Sequence, residues 1–443
     1  MERRTVGLVL MVAVIVVFLV PNCFSLVAFP KTIGLPVGQS QSFHLNVLLP
    51  VRVRLVNGPG LKLNETWLTN TPVQLHLGYP LTLETAEVGQ SEMEFQLFGV
   101  PWRRVLVEAR EPDVVVPGGH AVGVLLTSEG IIVVGYDNVA GQYGYSSPAR
   151  DSGILPGDLL LKANGSSLLT VADLIRSVEQ AGLENQALVL TLRRGTETRI
   201  AELYPLKTPK GSFRIGLYVR DGANGVGTLS FYDLDTGCFG ALGHVVTDVD
   251  TGTTLAIRDG SIVKAFISSV NAGTRGQPGE KIGVFQPGES NLGKIVANTE
   301  FGIFGLLNEP LENPYFQEGI PVAMATEVHP GPAEIYTVLE RDRIDSFEVE
   351  IERVINQYSP TDKGLVLKIT DDRLIEKAGG IVQGMSGSPI IQDGKLAGIV
   401  THVFINDPSR GFGILAEWMV EKGKSITEGA VKAPSVLAAF STK

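Results

Sequence analysis

Short runs of strict period-two alternation, cut by glycine and proline, constrain this chain more than any other feature. Val51, Val53 and Leu55 alternate with Arg52 and Arg54, and Met93, Phe95 and Leu97 alternate with Glu92, Glu94 and Gln96. Val105, Val107 and Ala109 continue the period after Trp102. Alternation at this period puts apolar side chains on one face of a strand and polar ones on the other. The 51 glycines and 25 prolines supply the turns that many short strands need. With 44% hydrophobic and 19% charged residues, the chain can bury sizeable cores. Its length predicts about three domains. A net charge of −10 excludes a general nucleic-acid-binding role, because phosphate recognition needs a basic surface.

Arg3 and Arg4 precede an uncharged stretch from Val6 to Val20, and Phe24–Phe29 extends it past Pro21 and Asn22. The length suits a short membrane span or a signal segment, and the leading arginines keep the N-terminus in the cytoplasm. Residues 1–29 are therefore expected to be an anchor, with everything beyond exported. No small-x-small site stands out near Pro21 or Ser25, which favours an uncleaved segment. Two cysteines, Cys23 and Cys238, cannot build a disulfide framework or a cysteine metal cluster.

Residues 31–115 read as a β-rich region without a chemical motif. A linker, Glu111–Gly119, then leads to Ser147-Pro148-Ala149, the turn Leu155-Pro156-Gly157-Asp158, and Asn164-Gly165. A helix follows, capped by Thr170 with Asp173 as its capping-box partner; Val171, Leu174, Ile175 and Val178 form its apolar stripe. This order resembles a PDZ domain of the bacterial protease-associated kind over 116–206. The resemblance implies that an extended peptide adds as a strand, with its carboxylate held by a loop near Ala121, Val122, Gly123 and Val124.

Residues 207–443 are glycine-rich and strand-like, and they carry the candidate chemistry. Gly384-Met385-Ser386-Gly387-Ser388-Pro389 is a turn in which the amides of Gly384 and Ser386 can converge on one oxyanion beside the Ser386 hydroxyl. A serine needs a base. Of the six histidines, His44, His76, His120, His244, His329 and His402, the base candidate is His244, in Gly240-Ala241-Leu242-Gly243-His244. His402 reads as structural. Asp248 and Asp250 beside His244 invite a metal reading, but no HExxH helix, cysteine pair or second histidine accompanies them, so neither metal nor cofactor is expected.

These two segments, with Thr401-His402-Val403-Phe404-Ile405-Asn406-Asp407-Pro408, closely resemble the SpoIVB peptidase family of endospore-forming bacteria. The resemblance implies a chymotrypsin-like β-barrel serine peptidase whose triad positions match His244, Asp371 and Ser386. The fold expected is thus mainly β and multidomain: membrane segment, β-rich region, PDZ domain (α+β), peptidase barrels. The resemblance further implies a sporulation endopeptidase in the forespore inner membrane, with its catalytic part between the two forespore membranes. It would cleave itself and the regulatory subunit of an intramembrane protease complex in the outer forespore membrane, releasing the late mother-cell sigma factor. The alternative is an inactive, membrane-anchored PDZ adaptor.

Overall fold

The computed structural model describes residues 31–43, 50–75, 80–141, 144–285, 291–355 and 359–432. The expected anchor over 1–29, His44 and His76 lie outside the described residues. Among the described residues, no helix is long and apolar enough to cross a membrane. Strand accounts for 56% and helix for 10%, so the chain is mainly β.

The N-terminal region packs a five-stranded sheet and a four-stranded sheet around one core, which includes Ile33, Leu35, Val53, Leu83, Phe95 and Val107. Alternation holds for Val51, Val53, Val105 and Val107, all buried. Glu94, on the expected outer face, is buried as well. Arg54 at 2.8 Å, Arg104 at 3.3 Å and Gln96 at 3.1 Å supply its partners.

Two six-stranded barrels follow. In the first, Ala121–Tyr136 pairs with both Ile257–Lys264 and Leu217–Tyr232, and this double pairing closes a ring through Cys238–Ala241, Gly302–Leu307 and Asn291–Thr299. Val122, Val124, Leu229, Phe239, Ile262 and Ile303 fill it. The second barrel closes from Gly331–Glu340, Arg343–Val354, Leu365–Ile369, Asp407–Leu415, Lys395–Phe404 and Pro389–Gln392. The C-terminal helix Ala416–Lys432 packs on strands of both barrels.

The linear division into a module over 116–206 and a barrel region from 207 is corrected here. Ala121–Thr127 is already a strand of the first barrel, in register with Gly222–Thr228. Past a bulge after Thr127 the same two strands run on, Ile132–Tyr136 against Leu217–Arg220, into a small α+β module inserted in that barrel. The module has its own core of Ile131, Ile154, Leu160, Leu174, Leu190 and Ile215. Its helix Val171–Glu184 carries the predicted capping box: Asp173 N–H donates to Thr170 Oγ1, and Asp173 Oδ2 accepts the Thr170 N–H at 2.8 Å.

The peptide-loop expectation is corrected too. Ala121, Val122, Gly123 and Val124 are the buried first residues of a strand with both edges paired: Val122 faces Gly227 on one side and Lys264 on the other. No edge is left there for an added strand. An open groove of about 470 Å³ lies instead between the helix Val171–Glu184 and the segment Phe213–Val219.

Candidate active site

His244 follows the last residue of the first-barrel strand Cys238–Ala241 by three positions. Two successive residues with positive φ, Leu242 and Gly243 (both +73°), turn the chain toward the second barrel. A leucine there is strained, an outlier of the kind that clusters at functional sites. Neighbours hold it in place: Leu242 N–H donates to Thr228 O at 3.3 Å, and a Cβ on Gly243 would lie 2.9 Å from Thr401 Cγ2. Beyond the histidine, Asn298 donates to the carbonyls of Val246 and Leu255 and accepts Val246 N–H.

The His244 imidazole sets its own tautomer. Nδ1 lies 2.9 Å from Val245 O, so Nδ1 carries the proton and donates, leaving the Nε2 lone pair free as a base. Burial pushes its pKa below the usual histidine value, against the Val245 hydrogen bond and the Asp362 charge. Its ring centroid is 5.0 Å from that of His402. Burial and the neighbouring His244 bring the pKa of His402 down to about 4, so both rings are neutral at pH 7.

Ser386 arrives from the second barrel, just before the strand Pro389–Gln392. Its Oγ donates to Thr401 O at 2.7 Å, one residue before His402. The turn is fixed peptide by peptide. Gln383 O accepts Lys281 N–H at 2.9 Å, Gly384 O accepts the Thr228 hydroxyl at 2.8 Å, and Met385 O accepts the Ser388 hydroxyl at 2.7 Å. In a trans peptide the C=O and N–H point opposite ways. Anchoring the carbonyls of Gln383 and Met385 therefore turns the amides of Gly384 and Ser386 outward. Among the described residues neither amide donates to a protein acceptor. Gly384 (φ +90°) and Gly387 (φ +100°) need glycine, and a Cβ on Gly387 would sit 1.9 Å from Thr228 O. The structure thus brings Ser386, His244 and the two amides to the seam between the barrels.

Asp371 is not brought there, and its expected place in the triad is corrected. It caps the helix Asp372–Ala378, accepting Arg373 N–H at 2.9 Å, while the Arg373 guanidinium pairs with it at 2.7 Å and Glu348 N–H donates at 3.3 Å. The Arg373 hydrogen bond holds its carboxyl below the usual range. The acid whose charge reaches both imidazoles is Asp362. Asp362 and Asp371 lie off opposite ends of the strand Leu365–Ile369, whose five residues span about 16 Å. Sequence reasoning passed over Asp362 because no motif marks it, and it read His402 as structural because a lone strand histidine usually is.

Asp248 and Asp250 are bound by Arg220 at 3.0 Å and 2.6 Å, and Asp248 also accepts Thr251 N–H at 2.9 Å. They form a loop clamp with its own cation. Among the described residues, no group of three His, Cys, Asp or Glu side chains is arranged to hold a metal.

A serine in a glycine turn, with free amides and a neutral imidazole at a double-barrel seam, is the constellation of the serine peptidases, and this chain is one of them. Its residues 211–420 match the family model described as SpoIVB peptidase S55. It is also similar to solved structures at low identity. The active form of the Rv3671c protease from M. tuberculosis is 15% identical, with 46% of this chain and 74% of that chain covered and a TM-score of 0.25. The HtrA-type protease AlgW with a decapeptide is 14% identical, with 49% and 57% covered and a TM-score of 0.27.

Proposed function

We propose that this chain is a membrane-anchored sporulation endopeptidase in which Ser386 attacks the scissile carbonyl and His244 takes its proton at Nε2. The amides of Gly384 and Ser386 bind the oxyanion, where one such donor is worth about 3–4 kcal/mol of barrier. Val245 O holds the imidazole through Nδ1, and the Asp362 charge steadies the imidazolium that forms. The Ser386 hydroxyl must leave Thr401 O to reach the base, a rotation about one side-chain bond. The observation that carries this reading is the pair of unpartnered amides flanking the Ser386 hydroxyl.

The substrates proposed are the chain itself and the regulatory subunit of an intramembrane protease complex in the outer forespore membrane. The anchor over 1–29 would keep the enzyme in the forespore inner membrane until self-cleavage. The family match supports this setting. The inserted module is proposed to be a PDZ domain that takes an extended peptide along the edge of Leu217–Val219, opposite the helix Val171–Glu184, in the groove that also exposes Ile175. Expression of the full chain, followed by N-terminal sequencing and incubation with the exported part of the subunit, tests the proposal. Cleavage of both, absent from Ser386→Ala, is expected. An intact subunit would remove it as substrate.

A further inference from the structure

The turn that carries Ser386 rests on a lysine that hydrolysis itself does not call for. Lys281, on the strand Glu280–Val284, is 5% exposed, and its partners Thr228 and Thr337 are fully buried. Its Nζ donates to Thr337 Oγ1 at 2.7 Å and to Thr228 Oγ1 at 3.5 Å. The Thr228 hydroxyl passes the chain on to Gly384 O, and Thr228 N–H donates to Ser386 O at 3.0 Å. The main-chain N–H of Lys281 fixes Gln383 O, the carbonyl whose direction sets that of the Gly384 amide. Its methylene stem lies along Gly384, where an added Cβ would be 3.2–3.4 Å from Lys281 Cβ, Cγ and Cδ.

Among the described residues no carboxylate shares this pocket. The charged groups on the elements packed around it are engaged elsewhere: Glu280 with Asn271, Glu334 with Tyr336, Glu340 with Lys377, Asp221 with Val171 N–H, and Arg220 with Asp248 and Asp250. An ammonium offers three donors and finds one close acceptor and one long one. Burial alone brings its pKa down to about 7. A residue needed only to fill this space would do so at less cost as a hydrocarbon.

We propose that Lys281 is a positioning residue of the peptidase: through its buried amine and the Thr228 hydroxyl it holds the 383–386 turn with the Gly384 and Ser386 amides facing the substrate carbonyl. The inference rests on the assignment of Ser386 and those amides given above. It predicts that activity and stability separate. In the full chain, Lys281→Met should lower kcat on a fluorogenic peptide by about tenfold or more, as loss of positioning does. KM should stay within about twofold, because ground-state binding is untouched. The melting temperature should hold or rise, because a buried amine with no carboxylate beside it is gone. Thr337→Val, which keeps the lysine but removes its close acceptor, should show a smaller kcat loss. A Lys281→Met enzyme with the parent kcat, or one whose kcat falls only in step with its melting temperature, overturns the proposal. If Lys281→Met does not fold, an unchanged kcat in Thr337→Val overturns it. An active Ser386→Ala enzyme would instead overturn the site assignment.

Discussion

Asp371→Asn separates the structure from the family resemblance. If Asp371 oriented His244, its change to Asn would cost about 10⁴ in kcat with the fold intact. The structure gives a different account. Asn caps a helix about as well as Asp, so the Arg373 N–H keeps an acceptor. What disappears is the ion pair, and the Arg373 side chain is 67% exposed, so the pair is worth about 0.2–1 kcal/mol. Asp371→Ala also loses the cap, for about 1 kcal/mol more. Both variants should melt slightly lower and keep kcat within about threefold, since neither group touches reacting atoms. Asp362→Asn should do the opposite: little change in melting, and a kcat loss of about tenfold to hundredfold, the effect of removing a charge that favours the imidazolium forming on His244. Turnover of a peptide substrate beside thermal melts of the three variants decides it. A folded Asp371→Asn enzyme slowed by thousands, with Asp362→Asn at full rate, would refute the reasoning and return Asp371 to the histidine.

Ser386→Ala should abolish self-cleavage and fluorophosphonate labelling; Ser388→Ala should still label but lose about 1 kcal/mol, because its buried hydroxyl serves only Met385 O. Gly387→Ala should label at background rate, since φ of +100° and a Cβ 1.9 Å from Thr228 O cannot both be relieved without moving the turn. With the folded pKa of His244 depressed, the unfolded chain binds the extra proton first as pH falls. This stabilising contribution is therefore complete above the unfolded value of about 6.5 and is lost below it, where melts across pH 5–7 should show the decline. Ile175→Asp, in the groove of the inserted module, should weaken binding of a labelled extended peptide while short-peptide turnover stays at the parent rate.

Chemistry that is local in the chain was legible from the sequence, and chemistry that depends on closure was not. Gly384–Pro389 announces its turn because two glycines, a serine and a proline each answer a backbone requirement within six residues. His244 announces itself through the small residues before it, which let the chain double back between the barrels. The Thr170 box and the alternating strands at 51–55 and 105–109 are similarly short-range. No such pattern could place Asp371 or Asp362. Each flanks the same strand, and only the barrel's closure decides which end faces the other barrel. Asp371 precedes a good helix, and its identity as a cap was as visible as any triad role; the family resemblance is what set it beside the histidine. The module boundary failed for a related reason. Ala121–Tyr136 and Leu217–Tyr232 are each a single strand in sequence, yet each serves two cores. Composition does not change where one core ends, because runs of buried apolar residues stand on both sides of the bulge at Thr127. Lys281 was invisible for the plainest physical reason: a lysine that follows Glu280 on a short strand reads as part of a solvated charged stretch. It takes the packing of Thr228 and Thr337 around its amine, and of Gly384 against its stem, to make that position an interior.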